Sequence, residues 1–215
     1  MRRVRVFPFF LVLAGVYFSW SLDQMFPQSA TKSSSRTANL DPGSIRDNVY
    51  RNSAFGFSYK IPYGWVDRTQ QMTEAASDPA QSRLLLAVFE RPPEASADSI
   101  NPAMVITAES VAAYPGIKHA ENYFGALTEV ATKQGFKVDN EPYEFQVGTK
   151  RLVRGDFNKE GNKAAAYQSS LVVLDKGYVL SLTFLAATSD DVDELIRGLS
   201  FSAAVRPAPQ KLKTK

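Results

Sequence analysis

The chain has a single histidine, which limits the acid–base chemistry open to it. A Ser-His-Asp triad would have to use His119, yet the 215-residue sequence contains no Gly-x-Ser-x-Gly segment to present a serine nucleophile. His119 stands beside Glu121 at the predicted start of a helix, an exposed position where a nucleophile and an orienting group rarely converge. We therefore interpret His119 as a surface residue and not as a base or a metal ligand.

Clustered carboxylates are a second possible source of chemistry. The densest group falls in the predicted first turn of a helix and consists of Asp190, Asp191, Asp193 and Glu194. Acidic side chains are favoured there by the helix dipole alone, and the alternating oxygen ligands of a calcium loop are missing. A second group lies on adjacent predicted strands, where a carboxylate pair for glycoside hydrolysis can meet in space: Asp139, Glu141, Glu144 and Asp156. Solvated strand faces carry such residues routinely, so we favour a surface role for these four.

Composition excludes several further classes of protein. The chain has no cysteine, so disulfides, zinc–thiolate sites, iron–sulfur clusters, thiol catalysis and a lipoprotein anchor are ruled out. It has neither a Gly-x-x-x-x-Gly-Lys nor a Gly-x-Gly-x-x-Gly segment for nucleotides. The net charge is only +3, and basic residues gather at the two ends of the chain, unlike a nucleic-acid-binding domain. We therefore expect no cofactor, no metal and no nucleic acid, and the sequence assigns no catalytic, cofactor-binding or metal-binding residue.

Aromatic residues are the remaining candidates, as a platform for a ligand. The five clustered aromatics are Phe55, Phe57, Tyr59, Tyr63 and Trp65. Phe57 and Tyr59 are separated by one residue and share one face of a predicted strand, as core residues do. Pro62 cannot donate to a sheet ladder, so the strand ends there. We predict that the aromatics before this break are buried and that Tyr63 and Trp65, beyond it, are partly exposed.

The elements that position these residues are mostly strands. Beyond the opening hairpin, apolar runs and alternating patterns predict strands at residues 84–89, 103–109, 143–147, 150–157, 165–174 and 178–185. A tight turn at residues 175–177 joins the last two, with Gly177 in a left-handed position. Apolar residues at three- and four-residue steps predict one helix at residues 119–134 and a last one from residue 190, capped by Thr188 or Ser189. The pattern predicts an α+β fold, an α-β-α sandwich with a largely antiparallel sheet and two main helices.

The opening hairpin resembles a known family. Residues 50–65, which read Tyr-x-Asn-x-x-Phe-Gly-Phe-Ser-Tyr-Lys-Ile-Pro-x-Gly-Trp, are similar to the first hairpin of the PsbP-like family, which shares its fold with the Ran-binding Mog proteins. The resemblance extends over roughly residues 49–204 and closes with residues 190–199 and Ser200-Phe201-Ser202, similar to the family's final helix and the segment after it. It implies the same sandwich and non-catalytic protein binding, in a bacterial, membrane-anchored member. The resemblance carries no binding-site residue over to this chain.

The N-terminal region predicts the location of the protein. Arg2, Arg3 and Arg5 precede an uncharged, apolar run at residues 6–22, whose length is near the lower limit of about 17 residues for a spanning helix. Positive charges before such a run favour a cytoplasmic N-terminus and export of the residues beyond the run. We expect a single-pass anchor in the cell membrane with the C-terminal domain outside the cytoplasm. The alternative is a signal peptide cleaved near residue 21 or 30, which leaves a secreted or periplasmic protein.

The chain divides into four predicted parts. Residues 1–27 are the anchor or signal peptide, 28–48 a flexible linker, 49–204 the PsbP-like α+β domain and 205–215 a disordered tail. The leading interpretation is a membrane-tethered, extracytoplasmic domain that is not an enzyme and binds an unidentified protein partner. The alternative is an exported enzyme or small-ligand carrier that uses a cleft between sheet and helix. A concave pocket with convergent carboxylates would favour the alternative, and a flat, partly apolar surface would favour protein binding.

Overall fold

The computed structural model describes residues 40–74, 82–92, 94, 100–114, 116–160 and 166–201. In chain order its strands are β1 (Ser44–Arg46), β2 (Val49–Asn52), β3 (Phe57–Lys60), β4 (Val66–Asp67), β5 (Ser82–Phe89), β6 (Ala103–Ser110), β7 (Lys137–Val147), β8 (Lys150–Lys159), β9 (Ala166–Asp175), β10 (Tyr178–Ala186) and β11 (Leu199–Phe201). The helices are α1 (Thr69–Glu74), α2 (Phe124–Lys133) and α3 (Ser189–Arg197). Short 3-10 turns lie at Val111–Ala113 and Ala120–Tyr123.

The strands form two antiparallel sheets of different size. The small sheet has the order β1-β2-β3-β11, and the large sheet has the order β4-β5-β6-β10-β9-β8-β7. Strand β11 follows α3 late in the chain and pairs with β3 near the start of the domain. The small sheet therefore joins the two ends of the folded part of the chain.

The large sheet is the middle layer of a sandwich. In β10, Leu180, Leu182 and Phe184 pack into a core shared with the small sheet and α3. Val179 and Leu185 point to the opposite face, where α2 covers the sheet. Because both faces are buried, the central strands are almost continuously apolar. This architecture confirms the predicted α+β class, an α-β-α sandwich with an antiparallel sheet and α2 and α3 as its main helices.

The opening hairpin has the predicted register. Phe57 and Tyr59 are only 3% and 0% exposed, and Tyr59 lies opposite Tyr50 across β2 and β3. The side chain of Asn52 shapes the turn that follows β2, because its Oδ1 accepts a hydrogen bond from the Phe55 N–H at 3.0 Å. The Asn-x-x-Phe spacing in the sequence is therefore a turn signal as well as a core pattern.

The folded domain begins earlier than the sequence analysis predicted. Strand β1 lies within residues 28–48, the range assigned to the linker, and pairs with β2. Asp47 and Asn48 connect the two strands with φ angles of 52° and 55°, a left-handed pair that Asp and Asn tolerate. Gly43 approaches Tyr50 so closely that a Cβ atom would lie 2.5 Å from the tyrosine ring. All three residues of β1 are exposed, so no apolar alternation marks the strand in the sequence.

The predicted helix at residues 119–134 is divided into two parts. The 3-10 turn comes first and α2 begins only at Phe124, because the side-chain oxygen of Asn122 accepts the His119 N–H at 3.0 Å and tightens the first turn. Gly135, with a φ of 86°, ends the helix as predicted. The Phe124 ring packs on Gly155 of β8, where a Cβ atom would lie 2.5 Å from the ring. Gly155 therefore sets how closely α2 approaches the sheet.

Helix α3 has the predicted cap and inner face. The hydroxyl of Thr188 accepts a hydrogen bond from the Asp191 N–H at 3.1 Å, which confirms Thr188 as one of the two expected caps. Val192, Leu195 and Ile196 are buried against the core between the two sheets. The helix is thus fixed at its start by the cap and along its length by apolar contacts.

The segments predicted at the two ends lie outside the described residues. These are residues 1–27, most of the predicted linker and residues 205–215. Within the part of the chain that is described, no helix has the length and apolar character needed to cross a membrane. The location predicted from residues 6–22 stays a prediction.

Candidate functional site

A groove of about 920 Å³ opens at one end of the sandwich, where turns of the two sheets come together. The small sheet contributes the β2–β3 turn, the start of β3 and the end of β11. The large sheet contributes Thr149 from the β7–β8 turn and Lys176 from the β9–β10 turn. The groove is therefore built by segments that are far apart in sequence.

The floor of the groove is aromatic. Phe55, Phe57 and Phe201 line it, although all three are buried and belong to the core between the sheets. The Phe57 and Phe201 rings pack with centroids 5.6 Å apart, and Phe55 meets the ring of Tyr178 edge-on at 5.9 Å. Such packing holds the floor in place. An apolar side chain that enters the groove would meet a preformed surface, which lowers the entropy cost of binding.

Two lysines hold the surrounding turns together. The Lys176 Nζ donates a hydrogen bond to the Ala54 carbonyl and so links the β9–β10 turn of one sheet to the β2–β3 turn of the other. The Lys150 Nζ pairs with Asp175 Oδ2 at 2.7 Å and links β8 to the same β9–β10 turn. Lys176 and Gly177 have φ angles of 50° and 83°, which confirms the tight turn predicted at residues 175–177. These contacts fix the rim of the groove as well as its floor.

The outer face of the small sheet adjoins the groove and is cationic. Cross-strand pairing places Arg51, Ser58 and Ser200 in one row on this face. Arg46 and Lys60 both lie opposite Val49 in the next row of the same face, and both side chains are exposed. None of the strands β1, β2, β3 and β11 contains Asp or Glu. This face therefore has a positive potential, and the small, uncharged side chains of Ser58 and Ser200 lie toward its β11 edge.

A second, smaller cleft of about 350 Å³ lies between the large sheet and α3. Phe145 and Val147 of β7 line one side, and Ile196 of α3 and Leu199 of β11 line the other. The guanidinium of Arg154 reaches into the cleft and lies 5.1 Å from the centre of the Phe145 ring. This is the place that the sequence analysis named for a ligand, a cleft between sheet and helix.

Arg154 is the centre of an ionic network beside this cleft. Its Nε donates to Asp156 Oδ1 at 2.8 Å, and its Nη2 pairs with Asp193 Oδ1 of α3 at 2.8 Å. Asp156 also accepts hydrogen bonds from Ser169 and, at 3.0 Å, from Tyr143. Burial alone would lower the pKa of Arg154, but the hydrogen bonds and charges of Asp156 and Asp193 outweigh burial and raise it. The network joins α3 to the sheet, and its one cation is shared by two carboxylates.

A buried carboxyl group lies on the opposite face of the large sheet. Glu109 is 1% exposed and accepts hydrogen bonds from the hydroxyls of Tyr114 and Tyr123, the latter at 2.7 Å. Burial raises the pKa of Glu109 above its ordinary value, although the two tyrosine hydroxyls oppose the change. Burial and the neighbouring carboxyl group likewise raise the pKa of both tyrosines. Glu109 ties the segment after β6 and the 3-10 turn before α2 to the sheet.

The four carboxylates considered on the strands are not paired with one another. Asp156 is buried in the Arg154 network, whereas Asp139 is exposed and accepts a hydrogen bond from Asn158 at 2.8 Å. Glu141 and Glu144 are exposed on β7, the edge strand of the large sheet. The surface role favoured from the sequence holds for three of them and is wrong for Asp156, because its neighbours Arg154 and Ser169 supply the partners that allow burial.

Three acidic residues of α3 have structural partners, and the single histidine lies at the surface. Asp191 accepts a hydrogen bond from the Thr188 hydroxyl, Asp193 pairs with Arg154, and Glu194 pairs with Arg197. His119 is exposed, as predicted. Among the described residues, no group of three or more His, Asp or Glu side chains is placed to hold a metal ion.

The burial of the five clustered aromatics agrees with the prediction. The groove also contains residues from outside this cluster. Tyr63 is 95% exposed and Trp65 is half-buried, whereas the three aromatics before Pro62 are buried. The groove residues missed in the sequence are the cations Arg51, Lys150 and Lys176. The register of β2, β3 and β11 places Arg51 beside the groove, whereas Lys150 and Lys176 come to it because turns of the large sheet pack against the small sheet. Neither arrangement has a local pattern in the sequence.

Comparisons with known proteins give a likeness of structure. No protein-family model and no curated protein matches the chain. Similar solved structures include LpqN of Mycobacterium tuberculosis, described as involved in cell envelope biogenesis, at 13% identity, covering 77% of this chain and 88% of LpqN with a TM-score of 0.39. The Saccharomyces cerevisiae Ran-binding protein Mog1p is similar at 9% identity, covering 74% and 96% of the two chains with a TM-score of 0.43.

Cyanobacterial PsbP (CyanoP) of Synechocystis is a third similar structure. Its identity to this chain is 10%, the match covers 72% of this chain and 91% of CyanoP, and the TM-score is 0.47. PsbP-like and Mog-type proteins, which residues 50–65 resemble, are thus both among the solved structures similar to this chain.

Proposed function

We propose that this chain is a membrane-tethered, extracytoplasmic and non-enzymatic domain that binds another protein, and that the groove is its docking surface. The observation that supports this proposal is the groove of about 920 Å³, with an aromatic floor and a polar, cationic rim held by Lys150 and Lys176. Protein interfaces commonly place apolar anchors at the centre and polar groups at the rim. A groove that is already shaped binds without the cost of ordering its own turns.

The tether defines the distance over which the groove can find a partner. The apolar run ends at residue 22, and Leu40 already packs against the core, so about 17 residues separate the proposed anchor from the domain. A flexible segment of that length would have an end-to-end distance of about 20–25 Å. The groove is then restricted to partners in, or close to, the same membrane, where tethering raises their effective concentration.

A second candidate function is ligand binding or catalysis in the cleft beside α3, and its support is the concave shape of that cleft. Asp193 is the carboxylate that lines it, and Arg154 already pairs with Asp193 at 2.8 Å. A ligand would have to replace this ion pair. Turnover of ester, peptide or glycoside substrates that is lost in Asp193→Asn while the fold survives would favour this candidate over protein binding.

Site-specific photo-crosslinking in native membranes tests the proposed function. A benzoylphenylalanine is introduced at Ser200, which is exposed beside the groove, and in a matched protein at Thr132, which is exposed on α2 across the large sheet. The proposal predicts a protein adduct of defined mass from Ser200 that Thr132 does not give. The absence of an adduct from Ser200, or the same adduct from both positions, would contradict it.

A further inference from the structure

We propose that the polypeptide segment received by the groove is acidic and extended, with carboxylates that lie along the outer face of the small sheet. This inference rests on the proposed function and adds the chemistry of the partner. The occupant is a segment of another protein, with apolar side chains for the aromatic floor and acidic side chains for the cations around it.

The charges around the groove favour an acidic partner. Arg46, Arg51 and Lys60 project from one face of strands that contain no carboxylate. On the other side of the groove, Lys150 is paired with Asp175, while Lys176 binds a backbone carbonyl and not a carboxylate. The cations therefore outnumber the carboxylates on these walls, and an acidic segment is the complementary partner.

Two further carboxylates lie near this surface, and together with Asp175 they are still fewer than the five cations Arg46, Arg51, Lys60, Lys150 and Lys176. Asp41, before β1, accepts hydrogen bonds from the Ser53 hydroxyl and from the Gly43 N–H at 2.9 Å. The Ser53 hydroxyl is the main cause of the lowered pKa of Asp41. Asp47 lies in the turn between β1 and β2, beyond the end of the face.

The spacing of the cations favours an extended partner segment. Lys60 follows Ser58 by two residues on β3, and Arg51 lies directly opposite Ser58 on β2. Alternate residues of a strand are about 7 Å apart, and neighbouring strands are about 4.8 Å apart. The Cα atoms of Arg51 and Lys60 thus lie in successive rows about 7 Å apart, which is the repeat of alternate residues in an extended segment. The Arg51 Nη1 lies 3.5 Å from the Arg46 and Val49 carbonyl oxygens. The small side chains of Ser58 and Ser200 leave room for such a segment on the β3 and β11 side of the face.

The shape of the site favours a polypeptide over a lipid surface. Phe57 and Phe201 line the cavity between the ends of the two sheets. A single side chain can enter such a cavity, whereas a planar layer of headgroups can reach only the cations outside it. The proposal therefore commits to a protein segment, and lipid binding is one outcome of the test.

The experiment measures the binding of defined peptides to the full-length chain in detergent. The probe is a fluorescent 12-residue peptide that alternates Glu with Val, and its two controls carry Gln or Lys in place of Glu. Fluorescence anisotropy should show that the Glu peptide binds at least about tenfold more tightly than either control. Raising the salt concentration should weaken the binding of the Glu peptide, because exposed charges are screened.

Charge reversal on the protein supplies the matched comparison. Arg51→Glu and Lys60→Glu should each lower the affinity for the Glu peptide by about tenfold. Lys137→Glu should change this affinity by less than about twofold. Lys137 is exposed at the start of β7, and the end of β7 that adjoins the groove lies ten residues, or about 33 Å, along the strand. Thermal unfolding must show that all three variants are folded.

Each result bears on the proposal in a definite way. Equal affinities for the Glu, Gln and Lys peptides would overturn the proposal that the segment is acidic. Equal losses of Glu-peptide affinity in Lys137→Glu and Arg51→Glu would also overturn it. Tighter binding of dioctanoyl-phosphatidylglycerol than of the Glu peptide, through the same cations, would reassign the face to a lipid. A Ser200 adduct together with charge-independent peptide binding would leave the proposed function standing and remove this inference alone. Loss of the Ser200 adduct would remove both.

Discussion

Phe57 and Tyr63 are six residues apart in the opening segment and have opposite surroundings. Phe57 is 3% exposed and packs against Tyr50 and Phe201, with ring centroids 5.8 and 5.6 Å away. Tyr63 is 95% exposed, beyond the proline that ends the strand. At the scale of single residues, the strand break at Pro62 separates core side chains from surface side chains.

Alanine substitutions at these two positions should therefore differ sharply. Phe57→Ala removes a ring from a packed core and should lower the free energy of unfolding by about 3–5 kcal/mol. Tyr63→Ala should change it by no more than about 0.5 kcal/mol. Thermal unfolding of the two variants checks the pair, and an unchanged melting temperature in Phe57→Ala would show that the strand register is wrong.

Glu109 should make the stability depend on pH in a definite direction. In the folded chain its pKa is raised above the ordinary value of 4.5, so between these two values the folded state binds more protons than the unfolded state. Its contribution is fully present below pH 4.5 and is lost as the pH rises through the folded pKa. Glu109→Gln cannot ionise, so the free energy of unfolding of this variant should fall less than that of the parent above pH 4.5.

Thermal unfolding between about pH 4 and 8 measures this difference. The matched control is Glu144→Gln, since Glu144 is exposed on β7. The control should follow the parent across the whole range. A Glu109→Gln profile parallel to that of the parent would show that Glu109 is ionised equally in both states.

At the scale of elements, α3 is held to the large sheet by apolar contacts and by one ionic network. Arg154 of β8 lies between Asp156 on its own strand and Asp193 on the helix. The Asp156 side chain is 12% exposed, whereas the Asp193 side chain is 46% exposed. Removal of the arginine therefore leaves the buried Asp156 carboxylate without its cation. Removal of Asp193 affects an ion pair that water partly solvates.

The two substitutions should rank accordingly. Arg154→Met should lower the free energy of unfolding by about 3 kcal/mol, because Asp156 loses its cation in a buried site. Asp193→Asn should cost less than about 1 kcal/mol. Urea unfolding gives both values. Equal costs for the two variants would mean that the α3 contact, and not the burial of Asp156, determines the role of Arg154.

The same elements show what the sequence can and cannot predict. The turn at Lys176–Gly177, the cap at Thr188 and the buried run of β5 follow from local chemistry and periodicity, so they are visible in the sequence. Strand β1 is exposed throughout and owes its place to pairing with β2. The Arg154 network and the groove join residues from distant segments, and such contacts have no local pattern.

At the scale of the whole molecule, the proposed tether and the groove determine what the domain can reach. The full-length chain should fractionate with membranes through residues 6–22, and external protease should digest the domain once any outer barrier is opened. Fractionation followed by N-terminal sequencing measures this. A mature N-terminus near residue 22 or 31 in the soluble fraction would replace the anchor with a signal peptide and leave a released domain.

The most direct test of the central claim is to fill the groove and ask whether the partner is lost. In the protein with benzoylphenylalanine at Ser200, the added substitution Ser58→Trp places a large side chain in the middle of the row formed by Arg51, Ser58 and Ser200. Glu129→Trp, at an exposed position on α2, is the matched control. The account predicts that the Ser200 adduct falls at least about tenfold in Ser58→Trp and is kept in Glu129→Trp, with both proteins folded. An adduct that persists undiminished in Ser58→Trp would contradict the assignment of the groove as the docking surface.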